Sequence, residues 1–86
     1  MNKNKFITEI AMYHTYYYKR LRDLREDHDL TQKQVAELIK TTQQVYSEYE
    51  KGIREIPLFK MVILAKFYNV SMDYLTDLID EKRTLR

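Results

Sequence analysis

One stretch in the middle of the chain constrains the fold more than any other, because its pattern predicts two short helices joined by a tight turn. The stretch runs from Leu30 to Gly52 and reads LTQKQVAELIKTTQQVYSEYEKG. Thr31, with Gln34 three residues later, forms the capping-box pattern that begins a helix. Thr42, or Thr41 beside it, is suited to cap the second helix. The rest of the chain is expected to support this pair.

The second helix of the pair is predicted to have two different faces. At ~100° per residue, Val45, Tyr46 and Tyr49 lie on an apolar side that can join a core. Amides and short hydroxyls on a helix are suited to binding base edges. A merely solvated polar face explains this helix equally well when the helix is considered alone. The polar side carries Gln43, Gln44, Ser47, Glu48 and Lys51.

The preceding helix favours the base-reading interpretation. It carries Val35, Ala36, Leu38 and Ile39, and the small side chain of Ala36 allows a second helix to cross at close range. Two helices of this length with a three-residue turn are typical of a helix-turn-helix unit. In that unit the second helix enters the major groove of DNA.

The composition limits what this pair of helices belongs to. The chain has 86 residues, 44% of them hydrophobic and 33% charged, with one glycine and one proline, which predicts a single all-α domain. The absence of cysteine excludes disulfides and thiolate zinc sites. No apolar run approaches the ~20 residues of a membrane span, and no signal peptide precedes the domain, so a cytoplasmic location is expected.

The sequence offers no catalytic constellation. His14 and His28 have no nearby acid arranged as a site, and no nucleophile elbow, phosphate-binding glycine loop or HExxH pattern occurs. We therefore expect no enzyme activity, no catalytic residues, no metal, no cofactor and no small-molecule ligand. The net charge of +2 is weak support for nucleic-acid binding, because acids are interleaved with the bases.

The N-terminal third predicts one long helix from about residue 5 to residue 27. Its apolar or aromatic-sized residues are spaced alternately three and four positions apart, which places them in a stripe along one side of a helix. Residues 6–18 carry more apolar and aromatic surface than a solvated extension needs, which indicates packing on a partner subunit or on the C-terminal helix. Base stacking on a single strand is a weaker hypothesis for these tyrosines. The stripe consists of Ile7, Ile10, His14, Tyr17, Leu21, Leu24 and His28.

Two further helices are predicted after Gly52. Pro57 begins the segment LFKMVILAKFY, which is apolar on nearly all sides and is therefore expected to be the central buried helix, ending at Asn69. Ser71 is suited to cap the shorter helix SMDYLTDLID. The last residues, EKRTLR, form a charged tail.

From Tyr17 to Ile79 the sequence resembles the XRE family of bacterial and phage helix-turn-helix regulators. The similar pieces are RLRDLRED, LTQKQVAELI, TTQQVYSEYEKG and REIPLFKMVILAKFYNVSMDYL, in the family's order. The resemblance implies a five-helix, lambda-repressor-like DNA-binding domain, to which the helical pattern before Tyr17, outside the family's common pattern, adds an N-terminally extended first helix. The implied divisions are an extension over 1–16, the DNA-binding domain over 17–79 with its helix-turn-helix unit at 31–51, and a tail over 80–86.

The resemblance also implies roles for individual residues. Glu48 would favour a cytosine N4 amine or repel phosphate. Lys40 and Asp29 stand where the family usually has glycine, so we expect mild strain at the turn that contains Lys40. Base contacts are expected from Thr42, Gln43, Gln44, Ser47 and Glu48, and phosphate contacts from Gln32, Lys33, Lys40, Lys51 and Arg54.

The function implied is a sequence-specific regulator, with repression as the expected outcome, that binds double-stranded DNA as a homodimer on a palindromic operator. The two copies are expected to meet through the N-terminal extension, the C-terminal helix, or both. The alternative is a protein-interaction module, antitoxin-like or anti-repressor, that uses the aromatic N-terminal helix.

Overall fold

The computed structural model describes residues 16–80, and over that range the chain is all helical. It forms α1 (Lys19–Asp27), α2 (Gln32–Leu38), α3 (Gln43–Lys51), α4 (Leu58–Tyr68) and α5 (Met72–Leu75), with no strand among the described residues. The predicted five-helix all-α class is confirmed. The sequence before Tyr16 and after Asp80 lies outside the described residues, so the proposed extension and tail stay predictions.

The predicted N-caps form the expected hydrogen bonds. The hydroxyl of Thr31 accepts from the backbone of Gln34 at 3.1 Å, and the Gln34 side chain accepts from the backbone of Thr31 at 2.8 Å, which completes the capping box. The Thr42 hydroxyl accepts from the backbone of Val45 at 3.1 Å and fixes the start of α3. Ser71 caps α5 in the same way.

All five described helices end in the same turn. After each helix one residue adopts a left-handed backbone, and the residue that follows it donates a backbone hydrogen bond to a carbonyl in the last turn. Lys40, with φ of 56°, pays the steric cost of a Cβ there, about 1–2 kcal/mol. The expected strain at this turn is present. The left-handed residues are Asp29, Lys40, Gly52, Asn69 and Asp77.

The core lies where α2 and α3 cross and the other helices close over them. α2 and α3 pack most closely, α1 contacts α3 and α5, and α4 contacts α5. Burying one such Leu or Val side chain contributes about 1.5–3 kcal/mol. No helix of residues 16–80 combines the length and hydropathy that a membrane span requires. The core side chains are Leu21, Leu24, Val35, Ala36, Ile39, Tyr46, Tyr49, Ile56, Met61, Leu64, Ala65, Tyr68, Val70 and Leu75.

The first helix begins later than the sequence pattern predicts. The predicted helix ran without interruption from about residue 5, but α1 begins at Lys19 and residues 16–18 are not helical. Tyr18 has extended backbone angles, φ −121° and ψ 101°, and its side chain makes no capping hydrogen bond. Tertiary packing explains the later start of the helix, because residues 16–18 pass across the end of α3, where Tyr17 lies against Gly52.

The expectation that α4 is buried on all sides is wrong. Its inner face is buried, but Leu58, Phe59 and Phe67 are 71%, 64% and 46% exposed. The other four described helices cover only one face of α4, so its apolar composition exceeds what the core takes in. The predicted last helix is also shorter than expected, since α5 ends at Leu75 and Leu78 is 74% exposed.

A buried arginine attaches the C-terminal segment to α1. One terminal nitrogen of Arg20 donates to the carbonyl oxygens of Tyr74 and Ile79 at 2.8 and 2.5 Å. Its other terminal nitrogen contacts Asp80 at 3.1 Å, and the guanidinium lies 4.0 Å from the centre of the Tyr74 ring. These bonds satisfy one backbone carbonyl within α5 and one after it, and they hold the C-terminal segment against α1.

Candidate nucleic-acid interface

The exposed side of α3 forms one wall of a shallow concave surface. Gln43 and Gln44 at the start of α3 are exposed, whereas Tyr46 and Tyr49 on the opposite side are buried in the core. The two faces predicted for this helix are therefore confirmed, and the polar face is held on a rigid support. We call this face the reading surface; its concavity, about 510 Å³, is lined by Gln32, Gln43, Gln44, Ser47, Glu48, Lys51 and Ile53.

A buried ion pair anchors the C-terminal end of α3 to α1. The Glu50 carboxylate, 4% exposed, accepts from Nε of Arg25 at 2.7 Å and from a terminal nitrogen of the same guanidinium at 3.2 Å. Arg25 also donates to the carbonyl of Leu30, in the turn between α1 and α2. The Gln32 amide donates to Glu50 at 3.2 Å. One carboxylate therefore joins α1, α2 and α3.

These contacts set the protonation state of the pair. Burial alone would raise the pKa of the Glu50 carboxyl, but hydrogen bonds to it, with Arg25 the foremost donor, hold that pKa below its ordinary value. The Tyr46 hydroxyl is buried beside the same carboxylate without meeting the geometry of a hydrogen bond to it. We therefore assign the charge-stabilising contacts to Arg25 and Gln32. Burial also raises the pKa of Tyr46 itself.

A second ion pair crosses the edge of the reading surface. Nε of Arg54 donates to an oxygen of Glu48 at 2.7 Å, with Glu48 25% exposed and Arg54 54% exposed. The sequence assigned these two residues separate roles, one toward bases and one toward phosphate. The structure shows that they contact each other in the free protein.

The other predicted contact residues lie around the reading surface rather than in it. The oxygen of the Thr42 hydroxyl accepts the capping bond and keeps its O–H donor, and Lys33 and Lys40 are exposed on α2 and on the turn that follows it. Ile53 lines the surface and is 67% exposed, and sequence reasoning missed it. The sequence of the connector IREI does not indicate that its first isoleucine lines this surface.

The N-terminal segment passes directly over the end of α3. A Cβ added to Gly52 would lie 2.6 Å from Cβ of Tyr17 and 2.8 Å from its Cα. Gly52 also has φ of 77°, so this position requires glycine both for its backbone angles and for the approach of Tyr17. A second cleft, lined in part by Tyr17, Arg22 and Lys51, lies beside this contact.

No group of three or more His, Asp or Glu side chains in residues 16–80 is placed to hold a metal ion. The described surface therefore offers amide, hydroxyl, carboxylate and amine groups without a metal centre. Such groups suit hydrogen bonding to base edges and to backbone phosphates.

Comparison with known proteins finds similar sequences among helix-turn-helix transcriptional regulators. A family model described as "Helix-turn-helix" matches residues 21–75. An uncharacterised HTH-type transcriptional regulator of Bacillus subtilis, YobD, is 46% identical over 65 residues, which cover 76% of this chain and 58% of that protein. The cryptic phage CTXphi transcriptional repressor RstR of Vibrio cholerae is 35% identical over 68 residues, with 79% and 59% covered.

A solved structure gives the same result at the level of the fold. The crystal structure of a transcriptional regulator from Listeria innocua aligns with a TM-score of 0.66 and 28% sequence identity, over 71% of this chain and 57% of that one. The chain thus spans somewhat less than three fifths of the length of these relatives.

Proposed function

Because the chain belongs to the helix-turn-helix family of transcriptional regulators, we propose that it reads double-stranded DNA by sequence and acts in the cytoplasm as a repressor. In this proposal α3 enters the major groove with its reading surface toward the bases. The observation that carries it is the placement of Gln43, Gln44, Ser47 and Glu48 on the outer side of a helix whose inner side is buried.

Each predicted residue has a role that fits its position. Gln43 and Gln44 are exposed at the N-terminal end of α3, the part of a recognition helix that reaches base edges. Ser47 and Glu48 follow one turn later. Thr42 contributes through its methyl group and through the O–H donor that its capping bond leaves available. Phosphate contacts are assigned to Gln32, Lys33, Lys40, Lys51 and Arg54.

We propose further that two copies bind a palindromic operator, with recognition helices about 34 Å apart. The expected contact surfaces are the N-terminal extension and the C-terminal helix. The structure adds a third candidate, the outer face of α4, where Leu58, Phe59, Ile63 and Phe67 are exposed. Exposed apolar residues that cluster on one helix mark interaction surfaces more often than scattered ones do.

Selection of bound sequences from a pool of random duplexes at physiological salt tests the function. We expect enrichment of a site with two mirror-related half-sites, which reports specificity and a symmetric dimer together. Enrichment of one unrepeated half-site would contradict the dimer. A protein that folds but enriches nothing, and binds no duplex at low salt, would overturn the proposal and favour the protein-interaction alternative.

Two substitutions on α3 separate base reading from phosphate binding. Gln44→Ala is expected to cost about 1–3 kcal/mol on the selected site and to relax preference at one base pair. Lys51→Ala is its matched control on the same helix. This variant is expected to weaken binding to all DNA sequences alike and to reduce the slope of log K against log salt concentration by about one. Binding titrations against the selected site and a scrambled duplex distinguish the two. Equal losses on both duplexes for both variants would contradict the assigned roles.

A further inference from the structure

The ion pair between Glu48 and Arg54 joins a residue of the reading surface to one outside the helix. Arg54 reaches back because Gly52 reverses the chain, and the backbone of Ile53 donates to the carbonyl of Glu48 at 3.1 Å. This turn places Arg54 beside the last turns of α3 although six residues separate it from Glu48. The contact is therefore a product of the turn that ends the recognition helix.

The atoms used in this contact leave both partners with unused hydrogen-bonding capacity. Arg54 donates through Nε, so its two terminal nitrogens keep their N–H groups. The contact engages one carboxylate oxygen of Glu48, and the other oxygen stays an acceptor. A guanidinium can therefore hold a carboxylate on one side and a phosphate on the other, because its donors are arranged as a planar fork.

An unpaired carboxylate on this surface would oppose DNA binding. The duplex carries one negative charge per ~1.7 Å of its axis, and a bare acid near it raises the free energy of every complex. A carboxylate that is paired with a cation loses most of this repulsion while keeping an acceptor oxygen. In the major groove, Asp and Glu accept hydrogen bonds from the N4 amine of cytosine.

We propose that Glu48 and Arg54 act as one unit, in which Glu48 reads the N4 amine of a cytosine while Arg54 neutralises it and binds an adjacent backbone phosphate. Arg54 is thus a positioning residue for base reading as well as a phosphate contact. This inference rests on the proposed function, namely that α3 reads duplex DNA. It goes beyond that function by making the two contacts interdependent.

Because the two contacts depend on each other, the effect of Glu48→Ala on DNA binding changes sign when Arg54 is removed. With Arg54 present, Glu48→Ala removes a base contact and is expected to weaken binding to the cytosine-containing site. With Arg54→Ala already in place, Glu48 is an unpaired acid facing phosphate, so Glu48→Ala is expected to strengthen binding. If Arg54 were only a phosphate contact, the two losses would simply add.

The test is a double-mutant cycle on a defined probe. Wild type, Glu48→Ala, Arg54→Ala and the double variant are titrated against the duplex recovered by selection, and against duplexes in which each of its C·G pairs is replaced in turn by T·A. Arg54→Ala is expected to weaken binding about 10-fold on the duplex that lacks the C·G pair read by Glu48, and by more on the selected duplex, where the contact of Glu48 with cytosine is lost as well. The cycle is expected to depart from additivity by a factor of about 5 or more, with the predicted change of sign.

Lys51 supplies the matched control. It is an exposed cation at the same end of α3 and makes no ion pair among residues 16–80. A cycle of Lys51→Ala with Glu48→Ala is expected to show a much smaller coupling, because Lys51 lies one helical turn from Glu48 and forms no ion pair with it. Circular dichroism of each variant checks that it is folded, which we expect because Arg54 and Lys51 are exposed and the Glu48 side chain lies at the surface.

Each outcome decides the matter. Additive losses in the Glu48 and Arg54 cycle, or a coupling no larger than that of the Lys51 cycle, would overturn the inference while leaving duplex binding intact. A Glu48→Ala variant that keeps its preference at every C·G pair would also overturn it. Absence of duplex binding by the folded wild type would overturn the proposed function, and the inference with it.

Discussion

Glu50→Ala is expected to destabilise the folded domain by about 3–5 kcal/mol, because it leaves the buried Arg25 guanidinium without its carboxylate partner. Arg25 is 13% exposed and Glu50 4% exposed at the side chain, so water replaces little of the lost interaction. The free energy of unfolding of a native protein is only about 5–15 kcal/mol, so this loss would remove much of the stability of the domain. Urea unfolding followed by circular dichroism measures it.

The matched control is Arg22→Ala, which removes an exposed pair between Arg22 and Glu26 at 3.2 Å on the same helix. That change is expected to cost no more than about 0.5 kcal/mol, since exposed i,i+4 pairs contribute little. Losses of similar size in the two variants would show that the Arg25 to Glu50 contact does not hold α3 to α1 in solution.

The same pair gives a pH dependence with a defined sign. The folded pKa of Glu50 lies below its unfolded value of 4.5, so its stabilising contribution is complete above about pH 4.5 and is lost as the pH falls through the folded pKa. Glu50→Gln cannot titrate. The difference in unfolding free energy between wild type and Glu50→Gln is expected to be constant from about pH 5 to 7 and to shrink below about pH 4.5. A difference that grows on acidification would contradict the assignment.

Gly52→Ala is the second large effect, with an expected loss of about 3 kcal/mol that combines a left-handed backbone and an overpacked contact. The added Cβ would sit 2.6 Å from Tyr17, so either the N-terminal segment or the end of α3 must move. The loss is measured from the shift in unfolding midpoint at unchanged denaturant slope.

Lys40→Gly reports the backbone contribution alone. Lys40 is also left-handed, with φ of 56° against 77° at Gly52, so removal of its Cβ is expected to stabilise the domain by up to about 1 kcal/mol. The excess of the Gly52→Ala loss over the Lys40→Gly gain then measures the contact with Tyr17. If the two values have equal magnitude, Tyr17 does not rest on Gly52 in solution.

Local signals made much of this fold predictable from the sequence. Thr31, Thr42 and Ser71 cap helices because a short hydroxyl can accept from the backbone three residues on, which is a property of the local sequence. Gly52 and Asn69 end helices because they tolerate left-handed angles. The buried face of α3 followed from periodicity alone.

Contacts between distant residues were not predictable in this way. Nothing in a single sequence connects Arg25 with Glu50, which lie 25 residues apart, or connects Tyr17 with Gly52. The start of α1 was misplaced for this reason, because a packed contact outweighed a helical pattern. The exposure of α4 was also missed, since periodicity cannot detect how many neighbours cover an apolar helix.

For the candidate site, the sequence predicted the polar side chains that α3 exposes but not the pairing of Glu48 with Arg54. The reading surface contains the expected Gln43, Gln44, Ser47 and Glu48. It also contains Ile53, for which the sequence offered no signal. In the proposed complex the base contacts are set jointly by this surface and by the DNA, and a protein sequence contains only one of these two partners.

The repeated helix ends affect the unfolded chain as well. Four of the five left-handed positions carry a side chain, and the chain as a whole contains one glycine. A residue with a Cβ explores fewer conformations when unfolded than glycine does, worth about 0.4–1 kcal/mol at each position. The lower conformational entropy of the unfolded chain thus partly offsets the backbone strain at Asp29, Lys40, Asn69 and Asp77. Gly52 is the exception, because there the crowding of Tyr17 leaves no room for that compensation.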